Sequence, residues 1–209
     1  MSNASTTPRV TSVDGLRGLL ATFVMVAHFV NSYGSGVLIG GANMCVMVFF
    51  IISGYVLTRA WTGAFPGFLV RRFVRLWPVY ALAITIGGYL TINPPPLSMY
   101  VWYPFMGINN QAPQDPVTWS LFVEAWAMLF MPAIVWIGRR PVATAIAIVA
   151  LVAVQFYSKD LYYGAFFIGG SACANRTLSV GFLDSPVVQW LGRISYSLYL
   201  THLLVIASA

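Results

Sequence analysis

The sequence predicts an all-α protein, a polytopic bundle of about seven membrane-spanning helices with its N-terminus in the cytoplasm. Three observations carry this reading. Hydrophobic residues make up 59% of the chain and charged residues 8%, against about 45–50% and 25% in soluble domains; the mean hydropathy is +0.78. The 209 residues suffice for about seven helices long enough to cross roughly 30 Å of hydrocarbon. The basic residues are sorted by segment. With the N-terminus inside, Arg9, Arg59, Arg71, Arg72, Arg75, Arg139, Arg140, Arg176 and Arg193 fall in cytoplasmic segments or at cytoplasmic helix ends, Lys159 falls outside, and Arg17 lies within the first span. That is a strong positive-inside bias. The net charge of +6 therefore describes topology, and nucleic acid is excluded as a partner.

Residues 1–13 form a polar tail, and 14–209 form one transmembrane domain. The expected spans are 16–33, 37–57, 76–93, 119–137, 141–157, 161–175 and 188–209. A turn around Tyr33-Gly34-Ser35-Gly36 joins the first two. Residues 58–75 form a basic loop or interfacial helix, and Pro78 suits the first turn of the third span. Residues 94–117 make the longest non-helical stretch, with Tyr100, Trp102, Tyr103 and Phe105 but no lysine or arginine, so this stretch faces outward. Arg139-Arg140-Pro141 is a tight cytoplasmic turn, and the sixth span is rich in small residues that favour close helix packing. No cleavable leader precedes the first span. Cys45 and Cys173 sit in spans and behave as small apolar side chains. No metal-ligand spacing, P-loop or GxGxxG occurs, so no metal is expected, and no internal repeat supports an inverted-repeat transporter.

Ionisable groups at membrane depth are costly, at least about 2.5–3.5 kcal/mol each. Arg17 and His28 lie eleven residues apart in the first span. At 100° per residue they project from nearly the same face, roughly 16 Å apart along the axis. His202 lies nine residues beyond Arg193 on another helix running in the same direction, at a depth within about 3 Å of His28. Ser195, Tyr199 and His202 share a face. Glu124 lies about 7 Å in from the outer end of an oppositely directed helix, on the face of Ser120. His28, Arg17, Glu124 and His202 are the catalytic candidates, with Trp119, Ser120 and Tyr199 as substrate contacts. A neutral imidazole is a suitable general base, and a carboxylate can orient it. The competing reading is that each histidine bonds a neighbouring helix and that Glu124 only neutralises Arg17 or a histidine.

Arg71, Arg72 and Arg75 are open to two readings. They anchor the chain at lipid headgroups, or they clamp phosphate, since Arg71 and Arg75 are one helical turn apart. A coenzyme A nucleotide suits such a clamp. The aromatic residues 99–105 form an interfacial belt or offer stacking faces to a sugar.

Five motifs occur in order: Asp14-Gly-Leu-Arg17 with His28; Phe49-Phe50-x-x-Ser53-Gly54-Tyr55; Arg71-Arg72-x-x-Arg75-Leu-x-Pro78; Trp119-Ser120-Leu121-x-x-Glu124; and Ile194-Ser195-Tyr196-Ser197-Leu198-Tyr199-Leu200-x-His202. Together they resemble the membrane-bound acyltransferase-3 family, from about residue 12 to the C-terminus. The resemblance implies O-acylation of sugars and polysaccharides, a cytoplasmic acyl-CoA donor, an extracytoplasmic hydroxyl acceptor, and residence in the inner (plasma) membrane. It implies His28 as the catalytic histidine, Arg17 as its partner, and Arg72 and Arg75 at the donor site. Family members normally have more spans in a longer domain, so a shortened member is expected. The expected activity is transfer of an acyl group, most simply acetyl, from acyl-CoA to a glycan hydroxyl. The alternatives are a transporter or exporter of a glycan or small acid, and a degenerate, non-catalytic family member.

Overall fold

The computed structural model describes residues 10–32, 34, 38–90 and 116–207. Among these, the secondary structure is helical throughout: α1 (Thr11–Ser32), α2 (Ile39–Arg59), α3 (Phe65–Leu90), α4 (Trp119–Leu129), α5 (Met131–Gly138), α6 (Pro141–Ala153), α7 (Lys159–Ala172) and α8 (Pro186–Ala207). Short 3-10 turns at Pro116–Thr118, Val154–Phe156 and Gly181–Asp184 lead into or out of these helices. Most of the N-terminal tail and the aromatic stretch with Tyr100, Trp102, Tyr103 and Phe105 lie outside the described residues.

Within the described residues each expected span falls mainly on helix, although the sixth ends at Ala172 and leaves Cys173 beyond it, and two further differences matter. The third begins at Phe65, so the basic residues 71–75 stand on a continuous helix and Pro78 falls in its interior. Proline there withholds the N–H that would bond the carbonyl of Val74. The Tyr196 hydroxyl donates to the nearby Leu76 carbonyl at 2.9 Å, tying this weakened part of α3 to α8. The fourth span is broken at Phe130: α4 and α5 meet at 73°. Pro132 near the start of α5 cannot donate back across the break. By length and composition, α1 and the Gly40–Arg59 part of α2 can each cross a membrane, and α4 with α5 makes a third crossing if the bent pair is one span. The stretch Pro141–Phe156 is apolar but shorter. Helix α8 has the length, at 22 residues, but carries Gln189, Arg193, Ser195, Ser197, Thr201 and His202.

The site is positioned by the α1–α8 seam. A side chain at Gly18 would run into the backbone of Leu191 and Gly192, and one at Gly192 into that of Asp14 and Gly15. These close approaches set the two helices in parallel register, and the same register carried upward places His28 level with His202. The seam is also latched at its lower end. Thr11 and Ser12 hydroxyls donate to the Asp184 carboxylate at 2.7 and 2.9 Å, and the Val180 N–H donates to Ser12 Oγ at 3.0 Å. A second close crossing joins α2 to α7, where Gly54 meets the Phe167 backbone and Gly170 meets that of Ile51 and Tyr55. Between the two crossings lies the main core, including Phe50, Phe68, Met131, Phe167 and Leu200.

Candidate active site

Two cavities and a histidine pair follow one another along α1, and α8 joins it at the inner cavity and the histidines. At the end where α1 begins, a cavity of about 570 Å³ is lined by Asp14, Arg17, Tyr55, Arg59, Arg72 and Arg75, among others. Its arginines come from three helices: Arg17 from α1, Arg59 from α2, and Arg72 and Arg75 from α3. Helical spacing explains the α3 pair, since residues three apart share a face. Arg71 is exposed and does not border this cavity, so the structure brings Arg72 and Arg75 together there without Arg71. Arg72 lies over the Phe68 ring at 5.7 Å; burial, and then neighbouring Arg75, lower its pKa from the ordinary value, yet a guanidinium stays charged. Arg59 donates to the Ala174 carbonyl at 3.1 Å and lies over the Tyr55 ring at 5.6 Å. The Tyr55 hydroxyl in turn donates to the Arg176 carbonyl at 2.8 Å. Arg59 and Tyr55 are members of this cavity that the sequence reading passed over. Their signal was position: they follow Ser53-Gly54 on the helix that ends at the basic mouth.

Deeper in, a cavity of about 50 Å³ is lined by Arg17, Ser53, Ser120, Glu124, Ser195, Tyr196 and Tyr199, with Val46, Phe49, Phe50 and Leu121 as its apolar walls. It has room for a few waters or one small polar group. Arg17 borders both cavities and so stands at the junction between them. Glu124 lies within electrostatic reach of Arg17, Arg72 and Arg75. Ser53 borders this cavity while its neighbour Gly54 lets α2 close onto α7; the motif thus serves packing and the site at once. Trp119 does not border the inner cavity; it packs on Phe50 and Tyr163, with ring centroids 6.0 and 5.3 Å away.

One turn beyond Tyr199, the two histidines meet. Their ring centroids lie 5.1 Å apart. His202 is buried and His28 half-buried. His202 Nδ1 lies 2.7 Å from the Tyr199 carbonyl. A carbonyl only accepts, so Nδ1 carries the proton and Nε2 presents a lone pair. Nε2 is buried with no hydrogen-bond partner among the described residues. The Tyr199 ring lies 5.9 Å from His202 and 5.6 Å from Phe49. Neither histidine borders the two cavities; Tyr199 and Phe49 stand between the inner cavity and the imidazoles. A polar path therefore runs from the arginine mouth past Arg17 to Tyr199, with a basic nitrogen one residue layer further on. Such an arrangement can bind an anion at one end and accept a proton at the other.

Comparison with known proteins places the chain in a family. Residues 10–159 match the acyltransferase domain family Acyl_transf_3. This covers more than half of the chain, and the chain belongs to that family. The matched range holds Arg17, His28, Arg71, Arg72, Arg75, Trp119, Ser120 and Glu124, and it ends before α8 with Tyr199 and His202. The chain is 33% identical over 81 residues to a Rhizobium radiobacter protein described as protein 2 in the picA locus, covering 35% of this chain and 41% of that protein. The chain thus spans under half the length of this relative. No solved structure matches it.

Proposed function

We propose that this member of the acyltransferase domain family is a multi-pass plasma-membrane O-acyltransferase, taking an acyl group, most simply acetyl, from cytoplasmic acyl-CoA to a hydroxyl of a glycan. The observation that carries this reading is the position of Arg17, shared between the arginine-lined mouth and the inner polar cavity. In this scheme the protein has seven spans with its N-terminus inside, which puts the mouth on the cytoplasmic face. Arg72 and Arg75, with Arg59 opposite, hold the donor phosphates by charge-assisted hydrogen bonds. The acyl end extends past Arg17 toward Ser120, Glu124 and Tyr199. The thioester carbonyl gains negative charge as the acceptor oxygen adds to it, and Arg17 stabilises that charge. His28 takes the acceptor proton, and His202, fixed by Tyr199, sets the ring beside it. The C–S bond then breaks, the ester forms, and coenzyme A leaves as the thiol. Tyr199 and Phe49 must turn aside for the two substrates to meet.

The test is acyl transfer from labelled acetyl-CoA by purified protein in vesicles, over a panel of polysaccharides, beside His28→Ala and Arg17→Ala. Labelled product is expected with wild type and is lost in both variants. Wild-type protein that neither acylates any glycan nor hydrolyses acyl-CoA would overturn the reading.

A further inference from the structure

Between the segment that follows α2 and one face of α5, a cavity of about 520 Å³ is lined by Trp61, Pro132, Val135, Trp136, Arg139 and Arg140. Its chemistry is unlike that of the two cavities already described. Two adjacent guanidinium groups and two indoles border it, and no carboxylate does. Arg140 is held in place: its guanidinium lies 4.0 Å above the Trp136 ring, and Nη1–H donates to the Trp136 carbonyl at 3.0 Å. Only one of its five N–H donors is used in that bond. Trp61 is likewise fixed, edge-on to Phe68 at 5.2 Å. Trp136 is 56% exposed, and α6, which begins at Pro141 directly after Arg140, carries an exposed apolar face on which Val142, Ile146 and Val149 are 71%, 65% and 69% exposed. Helix α6 has no buried residue at all.

We infer that this cavity is a binding site for the phosphate headgroup of an anionic phospholipid, whose acyl chains lie along the exposed face of α6. Arginine supplies a planar fork that matches phosphate oxygens. Tryptophan is the side chain that best suits the boundary between headgroups and hydrocarbon. A soluble anion would satisfy the arginines but leave the adjoining α6 face unexplained; a lipid occupies both. The site is independent of the acyl-transfer reading, because none of its residues borders the mouth or the inner cavity.

The experiment is native mass spectrometry of the full chain released from bilayers of phosphatidylcholine with and without phosphatidylglycerol of the same acyl chains. Wild type is expected to retain phosphatidylglycerol in preference to phosphatidylcholine. The double variant Arg139→Gln, Arg140→Gln should retain it roughly thirtyfold less, the effect of losing two cations worth about 1 kcal/mol each near the membrane surface. The double variant with lysine at both positions keeps the charge and loses the fork, so it should retain less than wild type and more than the glutamine variant, and Arg193→Gln, on α8, should keep all of it. Equal retention of the two lipids would overturn the inference, as would undiminished phosphatidylglycerol on the double glutamine variant or a lysine variant that retains no more than the glutamine variant. Displacement of the lipid by inorganic phosphate alone would assign the cavity to a free anion and overturn it equally.

Discussion

Helices α6 and α8 are both apolar elements of one bundle, and they are used in opposite ways. Helix α6 has the composition Pro-Val-Ala-Thr-Ala-Ile-Ala-Ile-Val-Ala-Leu-Val-Ala and buries none of its residues. Helix α8 carries Gln189, Arg193, Ser195, Tyr199 and His202, and it buries Ser195, Tyr199 and His202. In water the more apolar helix would be expected inside. In a bilayer the expectation inverts, because lipid accepts Val and Ile freely, whereas a hydroxyl or imidazole must find a partner in the protein. The core is apolar throughout, but the few buried polar side chains of α8 gather at the site, beside Leu200 and Leu204.

Five substitutions break or sharpen that contrast. The largest effect is expected at the seam, where His28→Ala should lower acyl transfer by about 10²–10⁴-fold, the usual contribution of a general base; unchanged product formation would reduce the histidine pair to packing. Next comes Gly18→Val. Its side chain would meet the backbone of Leu191 and Gly192, which cannot rotate away as a side chain can. A loss of about 1–3 kcal/mol or more is expected, read as a fall in the thermal unfolding temperature in detergent. Arg72→Gln should raise the KM for acyl-CoA about tenfold, since a hydrogen bond to a charged group contributes about 1.5–3 kcal/mol. Arg71→Gln, away from the mouth, should move it much less, and an equal effect would return Arg71 to the donor clamp. The smallest effect is expected from Val149→Ala on α6, within about 0.5 kcal/mol; a large loss would mean that something covers this face.

Much of the site was legible along the chain. The depths of His28 and His202 follow from counting 1.5 Å per residue from Arg17 and Arg193, and the rings do lie side by side. The stripe that joins Ser120 to Glu124 follows from helical spacing, and both border the inner cavity. Periodicity left the choice among the three α3 arginines open, because it says which residues share a face but not which face meets a neighbour; the family resemblance pointed to Arg72 and Arg75. Spacing favoured Arg71 with Arg75; the packing of α3 turned Arg72 and Arg75 toward the mouth. The same limit hid Arg59, whose role depends on where the end of α2 lies relative to α3. The 73° break between α4 and α5 was signalled by Pro132, but proline marks a break without setting its angle.

From composition and periodicity alone came the helical class, the lipid-compatible surfaces and the list of polar side chains too costly to face hydrocarbon. These are properties of single segments, and each segment carries its own pattern. Tertiary structure decided which of those polar groups share a space. Gly18 and Gly192 permit one close crossing, Gly54 and Gly170 another, and the position of these contacts along their helices sets the register. That register puts Arg17 at the junction of two cavities and His202 against His28. Such a juxtaposition depends on the contact between two helices far apart in sequence, and no single segment contains it.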